Sequence, residues 1–307
     1  MPINISTAAA IFRWRPACWL RVSGDDAANF LQGQFTNELR GLASSDGSVA
    51  GGAVYGLWLT LKGKVLGDSF VLRGTAGNEF WIGSYFSPAA VIRARLEGHI
   101  IADDVMIEDV TAGWAAVSVM GEGARILTEQ MRPEWRFVFR GRRDRGESFE
   151  YVFPIAGTEA QRVADVMGST REVDPEFVER RRIMTAVPAI PADVGPGDLP
   201  NEAGLEADAI SYTKGCYLGQ EVMARLKSMG QVRRRLLRVK GEGGNWPVLP
   251  AAVYVGGRQV GELRSAVGDG AGGWIGLAML SLLHLTPEAA LAFAPNAPAA
   301  LQLTDTP

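Results

Sequence analysis

Short apolar blocks alternate with polar turns along the first part of the chain, and they predict strands and helices in mixed order. Residues 19–22 predict a strand, and Ala27, Phe30 and Leu31 share one face at helical spacing in a helix that we expect Ser23 to cap. The other strands predicted in this part are 57–61, 64–72, 80–82, 105–110, 114–119, 135–139 and 149–153. The other predicted helices are one that Pro88 opens and Gly98 closes, two at 123–130 and 159–167, and one at 175–185 with Asp174 as its cap.

The order of these elements indicates the fold class. Strands and helices mix without the regular βαβ period that builds a doubly wound parallel sheet, so the pattern predicts an α+β fold. No G-x-G-x-x-G segment follows a strand and no Walker A sequence occurs, so neither nucleotide-binding motif is available.

Proline and glycine mark two changes toward the C-terminus. Residues 188–200 hold four prolines and two glycines, a density that excludes a long helix or strand and predicts an ordered loop or a crossing between lobes. Short strands between Gly-Gly turns, typical of a small β-barrel or sandwich, are predicted at 231–240, 252–255, 259–265 and 274–279. We therefore predict one region of residues 1–230, which we expect to contain two subdomains, and a β-barrel domain of residues 231–307.

Composition and charge exclude some partners. The 307 residues are 47% hydrophobic and 21% charged with a net charge of −3, which argues against a nucleic-acid footprint over the whole surface. One run without acidic residues holds Arg225, Lys227, Arg233, Arg234, Arg235 and Arg238. RNA or an acidic partner protein could dock there, although a solvated face is the commoner explanation. The charged tip at 140–145 is likewise expected to be a solvated hairpin end.

The sequence also limits compartment and metal chemistry. No apolar run reaches the roughly 18 residues of a bilayer span and no secretion signal is present, so we expect a cytoplasmic protein without membrane contact. Cys18 and Cys216 make no disulfide framework, and two thiols exclude an iron–sulfur site held by four thiolates of one chain. His99 and His284 are expected in core or surface positions, and we expect no metal centre.

The segment TKGCYLGQEVMARL surrounds Cys216 with polar residues. Gly215 and Gly219 predict a tight turn into a helix at 220–226. The positive end of that helix and the cation of Lys214 would favour thiolate, which predicts a partly exposed, reactive thiol. A small buried hydrophobe is the alternative interpretation, because free cysteine usually behaves so. The polar neighbours favour the functional interpretation.

Several segments resemble one known family. KGCYLGQE resembles the K-G-C-Y-x-G-Q-E signature of the YgfZ family, folate-binding proteins related to the T-protein, the aminomethyltransferase of the glycine cleavage system. FLQGQFTNEL resembles that family's F-L-Q-G-Q-x-T-N-D segment, and LTLKGKVLGDSFVL, RRIMTAVPAI, LPNEAGLEADAISYTKGCY and GELRSAVGDGAGGWIGLAML resemble further segments in the expected order. The resemblance covers about residues 17–285.

The resemblance implies both a fold and a function. The fold is a ring of three subdomains around a central hole that holds tetrahydrofolate or a one-carbon derivative, and the last subdomain is a β-barrel. The function is folate-dependent assembly or repair of iron–sulfur clusters in client enzymes, including a tRNA-modifying one, with Cys216 as the functional thiol. A folate-dependent aminomethyltransferase or demethylase of the T-protein type is the alternative.

The resemblance also assigns roles to residues. Asp68 matches one of the paired aspartates of the T-protein, and it forms the predicted catalytic set with Cys216 and Lys214. Glu150 lies in SFEYVFP, which resembles the T-protein strand whose glutamate binds the pterin. Arg182 is predicted to pair with the glutamate tail of folate or with a neighbouring carboxylate. The other predicted folate-binding residues are Gln32, Asn37, Tyr217, Gln220 and Glu221.

Three departures separate this chain from the T-protein. At Gly67-Asp68 only one aspartate of the pair remains, the G-A-R-D segment is absent, and Ala186 stands where the family has a glycine before I-P. The missing carboxylate would act as base or electrostatic anchor in one-carbon transfer, so its loss favours an accessory protein over an aminomethyltransferase.

Overall fold

Three β-sheets with helices packed around them form the chain. The structure is a computed structural model that describes residues 9–42, 52–75, 77–130, 137–168, 170–286 and 289–304. The strands within these residues are β1 Ala10–Trp14, β2 Cys18–Ser23, β3 Val54–Leu59, β4 Val65–Arg73, β5 Phe80–Ser84, β6 Met106–Asp109, β7 Trp114–Met120, β8 Phe137–Arg140, β9 Ser148–Pro154, β10 Arg171–Glu172, β11 Arg234–Gly241, β12 Ala251–Val255, β13 Arg258–Gly268, β14 Trp274–Ser281, β15 Leu291–Ala292 and β16 Gln302–Leu303. The α-helices are α1 Ala27–Gln34, α2 Ala89–Glu97, α3 Ala124–Gln130, α4 Thr158–Met167, α5 Pro175–Met184, α6 Glu206–Ala209 and α7 Gln220–Met229.

The first sheet has the order β3-β4-β5-β2-β6 and contains the predicted hairpin. β3 and β4 pair antiparallel, with Leu57 opposite Asp68. Leu31 of α1 and Ile92 of α2 pack into one apolar core with the strands of this sheet. Cys18 is fully buried in that core, and burial raises the pKa of its thiol, so this cysteine is a packing residue.

The second sheet has the order β10-β1-β7-β9-β8, and an aromatic cluster joins it to the first. Trp19 and Trp81 of the first sheet pack against Trp114 and Phe137 of the second, with ring centroids 4.8 to 5.7 Å apart. Aromatic rings at such distances bury large apolar areas and hold the two sheets together. Residues 135 and 136 of the predicted strand lie outside the described residues.

The third sheet has the order β15-β12-β13-β14-β11-β16 and is nearly closed. A bridge between Leu291 and Leu301 brings its two edges together, and Leu263 and Trp274 lie in its apolar core. The predicted C-terminal β-barrel is therefore confirmed, and so is the α+β class with three sheet-centred subdomains. A domain boundary at residue 230 stays a prediction.

The proline-rich segment links α5 to the barrel as an ordered crossing. Residues 188–199 contain neither helix nor strand, as their composition predicts. Asp193 accepts a hydrogen bond from Arg182 of α5, and Asp198 accepts one from Arg264 of β13. Buried charge pairs thus hold the segment between the two parts of the molecule.

The N-terminal ends of the helices confirm two of the predicted helix-start residues and show that a third prediction is wrong. Asp174 caps α5 through its side chain, and Pro88 precedes the first residue of α2. The prediction that Ser23 caps α1 is wrong, because Ser23 is the last residue of β2 and pairs with Met106. Asp26 occupies the N-cap position instead, and its side chain makes no capping hydrogen bond.

Candidate functional site

A small cavity lies where β3, β4, the β8–β9 connection and α5 meet. Its polar wall consists of Tyr55, Asp68, Tyr85, Arg142, Arg143, Glu179 and Arg182. Its volume is about 20 Å³, which is enough for one water molecule and too little for a heterocyclic ring. A larger ligand therefore enters only if a wall residue moves.

Asp68 lies in this wall and is buried among hydroxyl groups. Ser84 and Ser87 donate to its Oδ1 at 2.9 and 2.6 Å, and Tyr55 donates to its Oδ2 at 3.0 Å. Burial raises the pKa of Asp68, and these three donors only partly offset that effect. The predicted catalytic carboxylate thus lines the cavity with a raised proton affinity.

Glu150 is fully buried behind the cavity, with hydrogen bonds to both oxygens. Tyr85 donates to Oε1 at 2.6 Å, while Trp14 and Ser118 donate to Oε2 at 3.1 and 2.6 Å. Burial raises the pKa of this carboxyl, and the nearby guanidinium of Arg143 opposes the rise. Glu150, the residue predicted to bind the pterin, is therefore a buried hydrogen-bond acceptor that already accepts from protein groups.

The charged connection between β8 and β9 is folded into the molecule. Arg143 and Asp144 are buried, so the prediction of a solvated hairpin end is wrong for them. The Arg143 guanidinium lies 3.8 Å from the ring centroid of Tyr85 and 4.5 Å from that of Trp14. Arg142 lies 4.0 Å above the ring of Tyr55. Aromatic rings and carboxylates compensate these charges in place of water.

A wider recess adjoins the cavity and shares Tyr55, Arg142 and Val187 with it. Its volume is about 410 Å³, which falls in the range of small-molecule sites. Arg142 donates to Asp208 across its wall at 3.0 Å, and Arg145 contacts the same carboxylate at 3.1 Å. The recess is therefore the larger of the two spaces around Arg142.

Arg182 is buried rather than exposed on a helix surface. All five of its N–H groups have protein acceptors: the Glu179 and Asp193 carboxylates, the Val187 carbonyl and the Ser265 hydroxyl. Of the two predicted roles, pairing with a neighbouring carboxylate is the one that the structure contains. Contact with a ligand would require Arg182 to give up one of these bonds.

Cys216 is exposed, and residues on both sides of it attach to the same segment. Two residues earlier, the ammonium group of Lys214 donates to three carbonyl oxygens at 2.6 to 2.8 Å. These acceptors belong to Gln32, Phe35 and Asn37. Two residues later, the N–H of Leu218 donates to the carbonyl of Gly33 at 3.2 Å. We call these contacts the clamp, and they hold the backbone on both sides of the thiol.

The clamp explains the residue types around Cys216. Lys214 is buried, and burial lowers its pKa to about 8. Gly219 has φ +87°, and a Cβ there would lie 2.8 Å from the carbonyl oxygen of Thr60, so only glycine fits. Tyr217 is buried beneath the turn, and burial raises its pKa to about 12. The thiolate character predicted for Cys216 stays a prediction.

The other predicted ligand residues lie outside the cavity wall. The side chain of Gln32 accepts from the Leu39 N–H, and the side chain of Asn37 donates to the carbonyl oxygen of Tyr55. Gln220 and Glu221 begin α7, and Glu221 is exposed. Within the described residues, one group of predicted site residues therefore lies at the cavity, and another lies around the Cys216 thiol.

The basic run is partly folded into the protein. Arg234 pairs with Asp198 and Glu202, and Arg238 donates to a backbone carbonyl, so neither belongs to a free basic surface. The exposed members are Arg225, Lys227, Arg233 and Arg235. RNA docking on this smaller surface stays a prediction.

The described residues provide neither a metal-ligand cluster nor a membrane-spanning helix. No group of three or more His, Cys, Asp or Glu side chains is placed to hold a metal ion in the described part of the chain. Among the described helices, none has the length and apolar character of a membrane span. The side chain of His284 lies outside the described part.

Sequence reasoning missed two tyrosines and two arginines of the cavity wall. Tyr55, Tyr85, Arg142 and Arg143 all line it, and none was a candidate. The only signal was the density of arginine in GRRDRGES, which is unusual for a connection between two apolar strands.

Two family descriptions match the sequence. The GCVT N-terminal domain matches residues 4–137, and the CAF17 C-terminal beta-barrel domain matches residues 233–305. Among solved structures, the glycine cleavage system aminomethyltransferase T from Bartonella henselae is similar with a TM-score of 0.74. That match covers 99% of this chain and 89% of the other at 15% identity, so it shows the fold alone.

Curated relatives are similar over most of the chain. The human mitochondrial iron-sulfur cluster assembly factor IBA57 is 30% identical over 89% of this chain and 78% of its own length. The tRNA-modifying protein YgfZ of Photobacterium profundum is 27% identical over 73% of this chain and 68% of its own length. The chain therefore belongs to the family that contains IBA57 and YgfZ.

Proposed function

We propose that this chain is an accessory protein for iron–sulfur cluster assembly or repair, with Cys216 as its functional thiol and a tetrahydrofolate as its ligand. The names of its relatives IBA57 and YgfZ support the assembly role and a link to tRNA modification. The observation that carries the proposal is the exposed Cys216 held by the clamp, since Cys18 is buried and inert.

A single fixed thiol suits contact with a client better than storage of a cluster. Iron–sulfur clusters are held by several ligands, usually four thiolates. Because no group of three or more His, Cys, Asp or Glu side chains is placed to hold a metal ion within the described residues, other ligands would come from a client or a small thiol. The cluster is cargo in this proposal.

The cavity and recess are the proposed place for folate. Glu150 is suited to the pterin, because a carboxylate accepts from adjacent N–H donors. The closed cavity means that folate binding includes a movement of the wall, and Arg142 and Arg143 are the residues that fill the space.

Aminomethyl transfer or demethylation is the second candidate. It is favoured by Asp68, a cavity carboxylate whose pKa is raised by burial. It predicts turnover of a lipoyl-bound aminomethyl group or a small N-methyl substrate, lost in Asp68→Asn. Absence of turnover with both substrates would remove this candidate.

The test uses Cys216→Ser with Cys18→Ala as the matched control. Each variant is expressed in cells that lack the chain, and the activity of an iron–sulfur enzyme is measured together with tetrahydrofolate binding by calorimetry. We expect Cys216→Ser to bind tetrahydrofolate as the wild type does and to restore no activity. Full restoration would eliminate the thiol role, and a wild type that binds no tetrahydrofolate would eliminate the folate role.

A further inference from the structure

The pocket in front of Glu150 already contains a planar cation, the guanidinium of Arg143. Its Nε donates to Ser118 Oγ at 2.9 Å and lies 3.7 Å from Glu150 Oε1. The rings of Tyr85, Trp14 and Phe12 lie 3.8, 4.5 and 5.3 Å from it. We call Glu150, Ser118 and these three rings the Glu150 box.

The remaining acceptors of the box face this guanidinium. A carboxylate offers about four acceptor positions, and Tyr85, Trp14 and Ser118 use three of those on Glu150. The position toward Arg143 remains, beside the hydroxyl of Ser118. Two adjacent acceptors between aromatic rings select a flat group with adjacent N–H donors.

We propose that Arg143 occupies the Glu150 box in place of a ligand, and that a planar ring with adjacent N–H donors binds there only when it displaces the Arg143 guanidinium. The pyrimidine half of a pterin has this character, because its 2-amino group and ring N–H form a cyclic guanidine. The identity of the ring as folate rests on the proposed function. The self-occupied subsite rests on the contacts of Arg143 alone.

The position of Arg143 in the chain permits its departure. The β8–β9 ladder ends with Arg140 opposite Phe149, so Arg143 lies on the connection and can leave without breaking a strand pair. Among the described residues, its Nη2 is buried without a hydrogen-bond partner. Arg143 is therefore less completely bonded than Arg182, whose five N–H groups all have acceptors.

The backbone beside the box is shaped around the carboxylate. A Cβ at Gly141 would lie 2.3 Å from Glu150 Oε1, so only glycine lets the connection approach this closely. The Arg142 N–H donates to the hydroxyl of Tyr85, which in turn donates to Glu150. The connection that carries Arg143 is thus bonded to the box itself, and a ligand in the box would alter that connection.

The experiment compares the wild type with Arg143→Ala, and Arg145→Ala serves as the control from the same connection. Thermal unfolding is followed with millimolar ethylguanidinium or ethylammonium, and binding of 2-amino-4-oxopteridine is measured by calorimetry. We expect ethylguanidinium alone to raise the melting temperature of Arg143→Ala and to leave the other two proteins unchanged. We expect the pteridine to bind Arg143→Ala about tenfold more tightly than the wild type, because the competing side chain is gone.

Two outcomes would overturn the subsite. One is an Arg143→Ala protein that responds equally to both cations, and the other is weaker pteridine binding by that variant, which would make Arg143 a ligand contact. If Arg143→Ala does not fold, Arg143→Ala combined with Glu150→Gln removes the uncompensated carboxylate and should fold. Its melting temperature should not rise with ethylguanidinium, and a rise equal to that expected for Arg143→Ala would overturn the role of Glu150 in the box. A variant that binds ethylguanidinium while no protein binds tetrahydrofolate would keep the subsite and reject the folate role.

Discussion

Arg182 and Asp193 form a buried ion pair, with 2.5 Å between Nη1 and Oδ2, that joins α5 to the proline-rich segment. Ser265 of the barrel donates to the same aspartate at 2.5 Å. One carboxylate thus connects three parts of the molecule. A buried ion pair of this kind holds geometry, because removal of either partner leaves an uncompensated charge.

We predict that Arg182→Met lowers the free energy of unfolding by about 3–5 kcal/mol, because Asp193 stays buried without its cation. Arg182→Met with Asp193→Asn should recover part of the loss, since the second change removes the orphaned charge. Urea unfolding measures both. Arg93→Met, which removes an exposed pair with Glu97, is the control and should unfold as the wild type does. Equal losses in the single and double variants would contradict the prediction.

Strands and helices could be predicted from the sequence more successfully than contacts between residues far apart in the chain. The hairpin β3–β4 and the barrel strands were found because period-2 alternation and glycine turns are local signals. β10 was not predicted, since its two residues gain strand geometry only by pairing with β1. The clamp and the Glu150 box could not be derived from periodicity, because Lys214 contacts a residue 182 positions away and Glu150 contacts Trp14 136 positions away.

Ala186 offers a test of backbone strain. Its φ of +52° lies in the left-handed region that favours glycine, and the resemblance indicates a glycine at this position. We predict that Ala186→Gly raises the free energy of unfolding by about 0.5–1 kcal/mol. Ala189→Gly is the control in the same segment and should lower it by about 1 kcal/mol, because Ala189 is buried and has no positive φ. If the free energy of unfolding falls in both variants, the backbone at Ala186 carries no strain.

Asp68 should make stability fall as pH rises. Its pKa is raised in the folded state, so the folded protein binds more protons than the unfolded chain from the ordinary aspartate range up to that raised value. Asp68→Asn removes this contribution and keeps the hydrogen bonds, since Oδ1 still accepts from Ser84 and Ser87 and the amide can donate to Tyr55. We expect the melting temperature of the variant to rise relative to that of the wild type as pH rises upward from the ordinary aspartate range. A constant difference across that range would contradict the raised pKa.

The clamp predicts a local effect of Lys214. Lys214→Met leaves three carbonyl oxygens at the end of α1 without their donor, so we expect the free energy of unfolding to fall by about 2 kcal/mol. The amide of Leu218, which bonds to Gly33 on the other side of Cys216, should exchange faster with solvent.

Residue-by-residue hydrogen exchange distinguishes this local effect from a loss of stability of the whole protein. Lys240→Met removes an exposed lysine from β11 and should leave the Leu218 amide unchanged. In Lys214→Met the acceleration should be largest in residues 213–219 and small in β13 and β14, because the three acceptors of the Lys214 ammonium group all lie in the segment 32–37 and none in the barrel. Unchanged exchange at Leu218 would mean that Lys214 does not hold the turn that carries the thiol.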